Sequence, residues 1–361
     1  MATPRLRKTR IVCISDTHNC TVKLPPGDIL IHAGDLTNKG SKSELSRAVK
    51  WLEEADFEAK IVVAGNHDVT LDEDFYFHHG DSFHNKIKQD PSECIQLLSS
   101  SPSITYLCHD STTIRLKSST GPHTEFTVFG SPYSPRSGLW AFYYEAPKSP
   151  DDNSTDLTSL WELIPLETDI VVTHTPPRTH CDTPEGQRPA GCEALRQALW
   201  RVRPKLAVCG HIHGGRGAER VLWDLKNKTK PYAERVSIGW EDPGADNNKM
   251  SLVDLTGKTS KMPALANDEH HLGRPSYEDD QQTANATSAE HAVGYGGDPE
   301  SDSSCDYEAL AGRTGRKETC VVNAAIMKGS YPHSEGKLFS KPIVVDLFLP
   351  VWQEDDDNNE A

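Results

Sequence analysis

The chain has 361 residues, with 53 acidic against 38 basic side chains and a formal net charge of −15 at pH 7. That length buries a full core and allows one large domain or two, while the charge argues against general affinity for nucleic-acid backbones or anionic membranes. The hydrophobic share of 36% is low for a compact enzyme, so a sizeable part of the chain is expected to be loop or disorder.

The first ten residues are basic, and the apolar run behind them, Ile11 to Ile14, is strand-sized and ends at Asp16. It is too short for a signal peptide, and no window approaches a membrane span, so an intracellular, cytoplasmic protein is expected. Nine cysteines, an odd number, show no paired spacing. Cys13 and Cys209 lie inside apolar runs and read as small hydrophobes, so neither a disulfide framework nor a zinc–thiolate site is expected.

Strands are predicted over residues 10–15, 29–33, 60–64, 104–107, 126–129, 170–173 and 205–209. A helix is predicted over 41–57, with Leu45, Val49 and Leu52 on one face and Ser41 or Ser43 as its cap. A second helix covers 192–201, with Leu195 and Leu199 on one face and Pro204 stopping it. The alternation points to a layered α/β architecture. From 226 to 318 polar, acidic and small residues dominate, which reads as a disordered insertion. Strand character returns in 320–325 and 343–347. The expectation is one domain: residues 1–225, the insertion 226–318, closing strands in 319–350 and an acidic tail 351–361.

Chemistry-bearing residues sit directly behind these strands. They are Asp16 and His18, then Asp35, then Asn66, His67 and Asp68, then His174, and finally His211 and His213. In an open α/β sheet, ligands bind outside the carboxyl ends of the strands. Hard and borderline donors delivered from strand ends suit a two-metal hydrolytic site, and Gly34, Gly65 and Gly210 suit turns that approach it closely. His32 reads as a core histidine, and His78, His79, His84, His270 and His271 as surface. Arg216, in a glycine-rich turn, reads as a phosphate fork or as part of a simple turn, the latter favoured. The 131–135 loop reads as pocket wall with Tyr133 a candidate for stacking a base or ring, and Trp140 and the 142–144 aromatics read either the same way or as buried packing.

The ordered motifs D-x-H, G-D, G-N-H-D, H and G-H-x-H resemble the calcineurin-like metallophosphoesterase superfamily. Residues 129–135 (FGSPYSP), 173–177 (THTPP), 203–205 (RPK), 322–324 (VNA) and 342–347 (PIVVDL) bring the resemblance closer to the UPF0046-type, metallophosphoesterase-domain-containing proteins. It covers roughly residues 9–224 and 319–350 and implies an α/β/β/α sandwich with a dimetal site at strand C-terminal ends. It further implies one metal on Asp16, His18 and His213 and a second on Asn66, His174 and His211, with Asp35 bridging. Such ions lie ~3.5–4 Å apart and share a hydroxide that attacks phosphorus. His67 is implied as general acid, with Asp68 orienting its imidazole and keeping it cationic.

Manganese is the first expectation for two divalent ions, with iron, zinc or magnesium accepted by the same donors. The implied activity is a phosphodiesterase on a small or nucleotide-like substrate. A phosphomonoesterase or protein phosphatase is the alternative within enzymes, disfavoured because no phosphate-clamping arginines can be placed. A metal- or nucleotide-binding interaction protein with little turnover, tethered to protein partners through the insertion, is the alternative outside them.

Overall fold

Period-two alternation of apolar side chains sets the architecture. The computed structural model describes residues 5–146, 157–183, 188–225, 227, 229–258, 262–265, 267, 316–328 and 338–352. Its main strands are β1 (Leu6–Ile14), β2 (Ile29–Ala33), β3 (Ala59–Val63), β4 (Thr105–Leu107), β5 (Asp110–Arg115), β6 (Glu125–Ser131) and β7 (Ile170–Thr173). They continue with β8 (Leu206–Cys209), β9 (Gly217–Trp223), β10 (Glu234–Gly239), β11 (Ser251–Asp254), β12 (Glu318–Asn323) and β13 (Ile343–Pro350). One six-stranded sheet has the order β11-β13-β1-β2-β3-β4, and a seven-stranded sheet has the order β10-β9-β12-β8-β7-β6-β5. Strands β1 to β4 run parallel, as do β6, β7, β8 and β12.

The two sheets stack face to face. Ile11, Ile31 and Val63 from the first meet Phe126, Val172, Val208 and Val322 from the second in a shared core. Their sequence neighbours point the other way. Val12, Leu30 and Val62 pack under α1 (Lys42–Glu54), α2 (Glu73–His79) and α3 (Pro91–Ser99) through Leu45, Phe75 and Leu98. On the opposite side, Val171 and Val321 pack under α4 (Leu157–Glu162) and α5 (Glu193–Val202) through Trp161, Leu195 and Leu199. The result is a four-layer α/β/β/α sandwich. Strands buried on both faces read as unbroken apolar runs, and each fully buried aliphatic side chain contributes about 1.5–3 kcal/mol.

Local chemistry agrees with these boundaries. Ser41 caps α1 in a capping box with Glu44. Arg203 closes α5 in the left-handed region at φ 48°, one residue before Pro204. No helix among the described residues is long and apolar enough to cross a membrane.

The reading of 226–318 as a disordered insertion is corrected at both its ends. Strand β11 pairs parallel with β13, from Ser251 opposite Ile343 to Asp254 opposite Asp346, and Val253, Leu255 and Leu265 join the inter-sheet core. Strand β10 pairs antiparallel with β9 and is largely exposed, while Glu318 is buried at the start of β12. A four-residue strand and an edge strand without a buried face carry too little alternation to stand out. Residues 268–315, like 353–361 of the predicted tail, lie outside the described residues.

After β12 the chain passes from one sheet to the other, where Ser15 bridges Ala325 and Ile326 N–H donates to Ser15 O at 2.9 Å. The carboxyl ends of β1 and β2 therefore lie beside those of β7 and β8. Val253→Asp, which buries a carboxylate between the sheets, is expected to cost about 3 kcal/mol or more. Val236→Asp, on the exposed face of β10, should stay within about 0.5 kcal/mol. Equal urea midpoints for the two variants would contradict the placement of β11.

Candidate metal centre

The strand ends turn sharply to deliver their side chains. Asp16, His18, Asp35 and His211 take left-handed conformations at φ 55°, 43°, 54° and 64°. Such conformations cost about 1–3 kcal/mol each and persist where the surroundings fix them. Here Asp16 N–H donates to Gly34 O at 2.9 Å and His18 N–H to Asp35 O at 3.0 Å. The backbone N–H of His211 reaches both carboxylate oxygens of Asp16, at 3.1 and 3.0 Å. Glycine is required at two of these turns. Gly34 sits at φ 101°, where a Cβ would overlap His174 Nδ1, and a Cβ on Gly210 would overlap Ser15 Oγ and Asp16 Oδ2.

The side chains converge around Asp35. Its Oδ2 lies 3.6 Å from His18 Nε2 and 3.5 Å from His174 Nε2. Its Oδ1 accepts from His67 N–H at 2.8 Å. His174 Nε2 is also 3.0 Å from Asn66 Oδ1, and His213 Nε2 is 3.3 Å from Asp16 Oδ1. The His211 imidazole packs edge-on against His174, ring centres 4.9 Å apart. Three groups, Asp16 with His18 and His213, Asp16 with Asp35 and His174, and His18 with Asp35 and His67, each hold their donor atoms within 4.8 Å. All seven predicted donors, and His67, are thus brought to one place.

These residues fit divalent ions. His18 Nδ1 pairs with Thr37 O at 3.2 Å and His174 Nδ1 with Ala33 O at 2.9 Å. A carbonyl oxygen only accepts, so each Nδ1 carries a proton, and Nε2, which faces Asp35, is the ring atom that could meet a metal ion once it is itself unprotonated. Imidazole nitrogens, carboxylates and an amide oxygen together suit borderline divalent metals.

The electrostatics point the same way. Burial alone would raise the pKa of Asp35, but His174, then His67, hold it well below the carboxylate range. Burial also opposes charge on His174, yet Asp35 outweighs it and raises that imidazole from 6.5 to about 9. The buried carboxylates demand positive charge, supplied here by protons that cations would displace.

A sequence profile of the calcineurin-like phosphoesterase family matches residues 9–215, a stretch that contains every one of these side chains. The chain belongs to the calcineurin-like phosphoesterase family. It is 44% identical over 218 residues to "Probable rhamnogalacturonate lyase C" of Emericella nidulans, covering 60% of this chain and 18% of that protein. It is 37% identical over 220 residues to human "Metallophosphoesterase domain-containing protein 1", covering 58% of this chain and 62% of that protein. The chain thus spans less than two thirds of either relative. The solved structure of TT1561 from Thermus thermophilus aligns with a TM-score of 0.36 at 14% identity, over 59% of this chain and 84% of that one.

Within this family site, one predicted role is corrected. Asp68 does not bond the His67 imidazole directly. Its carboxylate accepts from Gly65 N at 2.9 Å, Leu36 N at 3.2 Å, Thr37 N at 2.9 Å and Thr37 Oγ1 at 2.7 Å. His67 Nδ1 instead donates to Asn38 O at 2.9 Å. In a tight turn, consecutive side chains diverge, so adjacency in sequence did not become contact. Burial, then the charge of Asp35, pushes the Asp68 pKa up to about 6 against those four donors. Asp68 anchors the loop after β2, and the Thr37 and Asn38 carbonyls of that loop orient His18 and His67.

One position escaped the sequence reading as part of the site, and a second, Trp140, gained a partner that the sequence did not name. Asn323 is buried, and its Nδ2 donates to Cys181 O and Ile212 O at 2.9 Å each and contacts Gly210 O at 3.4 Å, pinning the turn that carries His211 and His213. The signal was available, since a polar residue directly behind an apolar strand is the pattern that marked the other donors. Trp140 lies face to face with His67, ring centres 3.8 Å apart and planes at 28°.

The remaining expectations resolve simply. Arg216 donates to Asp242 Oδ2 at 3.4 Å and to Lys341 O at 2.8 Å. His32 is buried with Nε2 2.9 Å from Thr17 Oγ1, and burial lowers its pKa to about 4. His84 is only half-exposed and contacts Tyr76 OH at 3.1 Å, whereas His270 and His271 lie outside the described residues.

Asp68→Ala releases the loop that orients both His18 and His67. Its metal content, measured by inductively coupled plasma mass spectrometry, should fall below that of the wild type. Unchanged content would contradict the loop-anchoring role of Asp68. If a metal ion binds His174 it has to displace that proton, so affinity should rise with pH up to about 9. Calorimetry at pH 7 in buffers of differing ionisation enthalpy should register proton release on binding, and zero release would contradict this.

Proposed function

We propose that this chain is a phosphoric ester hydrolase that uses two divalent ions, manganese foremost, and acts on a small or nucleotide-like phosphodiester. The observation that carries the proposal is the place of Asp35, whose Oδ2 lies between the Nε2 atoms of His18 and His174 while its Oδ1 takes the His67 N–H. Asp16, His18 and His213 would hold one ion, Asn66, His174 and His211 the other, with Asp35 between them. Ions bound there would activate a water as nucleophile and neutralise the phosphoryl oxygens.

With Nδ1–H committed to Asn38 O, His67 has Nε2 left to give a proton to the leaving oxygen. The engagement of Arg216 elsewhere supports the diester choice, because a dianionic monoester asks for more cationic donors than a monoanionic diester does. One observation favours a second role for His67. Its donor atoms fall within 4.8 Å of those of His18 and Asp35, so it could serve as a further ligand.

The test uses manganese-loaded protein on a bis-aryl phosphate, a mono-aryl phosphate and a nucleoside diester with an alkyl leaving group. Diester turnover is expected to dominate. His67→Ala should lower kcat on the alkyl diester by about 10²–10⁴-fold while retaining metal, and Asp35→Asn should lose both activity and metal. No rate above background on any ester would sink the enzyme reading, and a monoester preference would overturn the diester choice. Metal loss in His67→Ala would make His67 a ligand.

A further inference from the structure

We infer that Trp140 is the positioning residue for His67, its indole fixing the imidazole plane so that Nε2 faces the reacting centre. This rests on the reading of His67 as the proton donor to the leaving group. The imidazole is held on three sides. Trp140 covers one face at 3.8 Å between ring centres, the His18 ring stands edge-on at 4.8 Å and 82°, and Asn38 O receives Nδ1–H at 2.9 Å. Rotation about the last side-chain bond of a histidine is soft, so one hydrogen bond alone leaves the ring plane poorly defined. A flat indole in near-parallel contact removes that freedom.

The indole is itself supported. Phe83 packs against it at 5.4 Å between centres and 50°. Ala141 N–H donates to Asn66 O at 3.1 Å and Phe142 N–H to Asp72 Oδ2 at 2.8 Å, so the loop carrying Trp140 is tied to both ends of the segment carrying His67. Phe142 takes a left-handed conformation at φ 51° with its side chain buried, which sets the direction of the loop as it passes His67. With His67 on one face and Phe83 beside it, Trp140 is held in place by the protein.

The test combines turnover with a signal that turnover does not affect. A leaving group of low pKa departs without a proton, whereas an alkoxide needs one. Trp140→Ala should therefore lower kcat on an alkyl diester by about tenfold to a hundredfold, with KM and metal content unchanged, and alter a bis(4-nitrophenyl) diester less than about twofold. Trp140→Phe, which keeps a flat face, should restore most of the loss. In a His67→Ala background, Trp140→Ala should add nothing.

Independently, the His67 Nδ1–H resonance in histidine-labelled, zinc-loaded protein should persist in wild type and Trp140→Phe and be lost to exchange in Trp140→Ala. Equal losses on both esters, a further loss in the His67→Ala background, or a resonance that survives in Trp140→Ala would each overturn the inference. If the wild type hydrolyses neither ester, the proposed function fails while the resonance still decides the role of Trp140.

Discussion

Two carboxylates, Asp16 and Asp35, are buried at the place where the carboxyl ends of the two sheets meet, and most of the surrounding structure answers the problem this creates. An unpaired buried anion costs several kcal/mol even after relaxation. Hydrogen bonds alone do not remove the charge, so the site gathers imidazoles. His174 and His18 face one oxygen of Asp35, and His213 faces Asp16. Such a cluster is stable with protons on some imidazoles or with cations in their place, and the second state is the one a hydrolase would use.

Holding the cluster requires the loop after β2, which connects most of the parts. Asp68 binds its backbone from below through Leu36 and Thr37, and the loop's own carbonyls then fix Nδ1 of His18 and of His67. One buried carboxylate that touches neither imidazole therefore orients both. The strained backbone at Asp16, His18, Asp35 and His211 belongs to the same design, because each left-handed residue swings its side chain back over the strand end instead of continuing outward. The neighbouring glycines leave the space that those side chains occupy.

The core strands and the donors were legible in the sequence for one physical reason. A strand buried on both faces must be apolar throughout, so Asp16, Asp35 and His174 stand out immediately behind runs such as 11–14, 29–33 and 170–173. The same logic fails where burial is one-sided or absent. Strand β10 shows no buried face, and β11 contributes Val253 alone from its four residues to the inter-sheet core, so both vanished into a polar stretch. Partnerships were less legible than positions. Asp68 next to His67 suggested a pair, but side-chain direction in a turn depends on φ and ψ, which residue names do not specify. The sequence offers Trp140 as wall or packing, and only the fold joins it to His67 across more than seventy residues.

The late segments bear on how the centre is assembled. Asn323, at the end of β12, pins the turn of His211 and His213, and Ile326 bonds Ser15 immediately before Asp16. Strand β13 then pairs along nearly all of β1, from Leu6 opposite Pro350 to Cys13 opposite Ile343. All the donors lie before residue 214, yet the turns that present them lean on strands formed after residue 317. The centre thus depends on contacts of long sequence separation, whose closure entropy must be met before any of the site's interactions are realised. Those closing contacts bring the two sheets into register, and only in that register do Asp35 from one sheet and His174 from the other come within 3.5 Å.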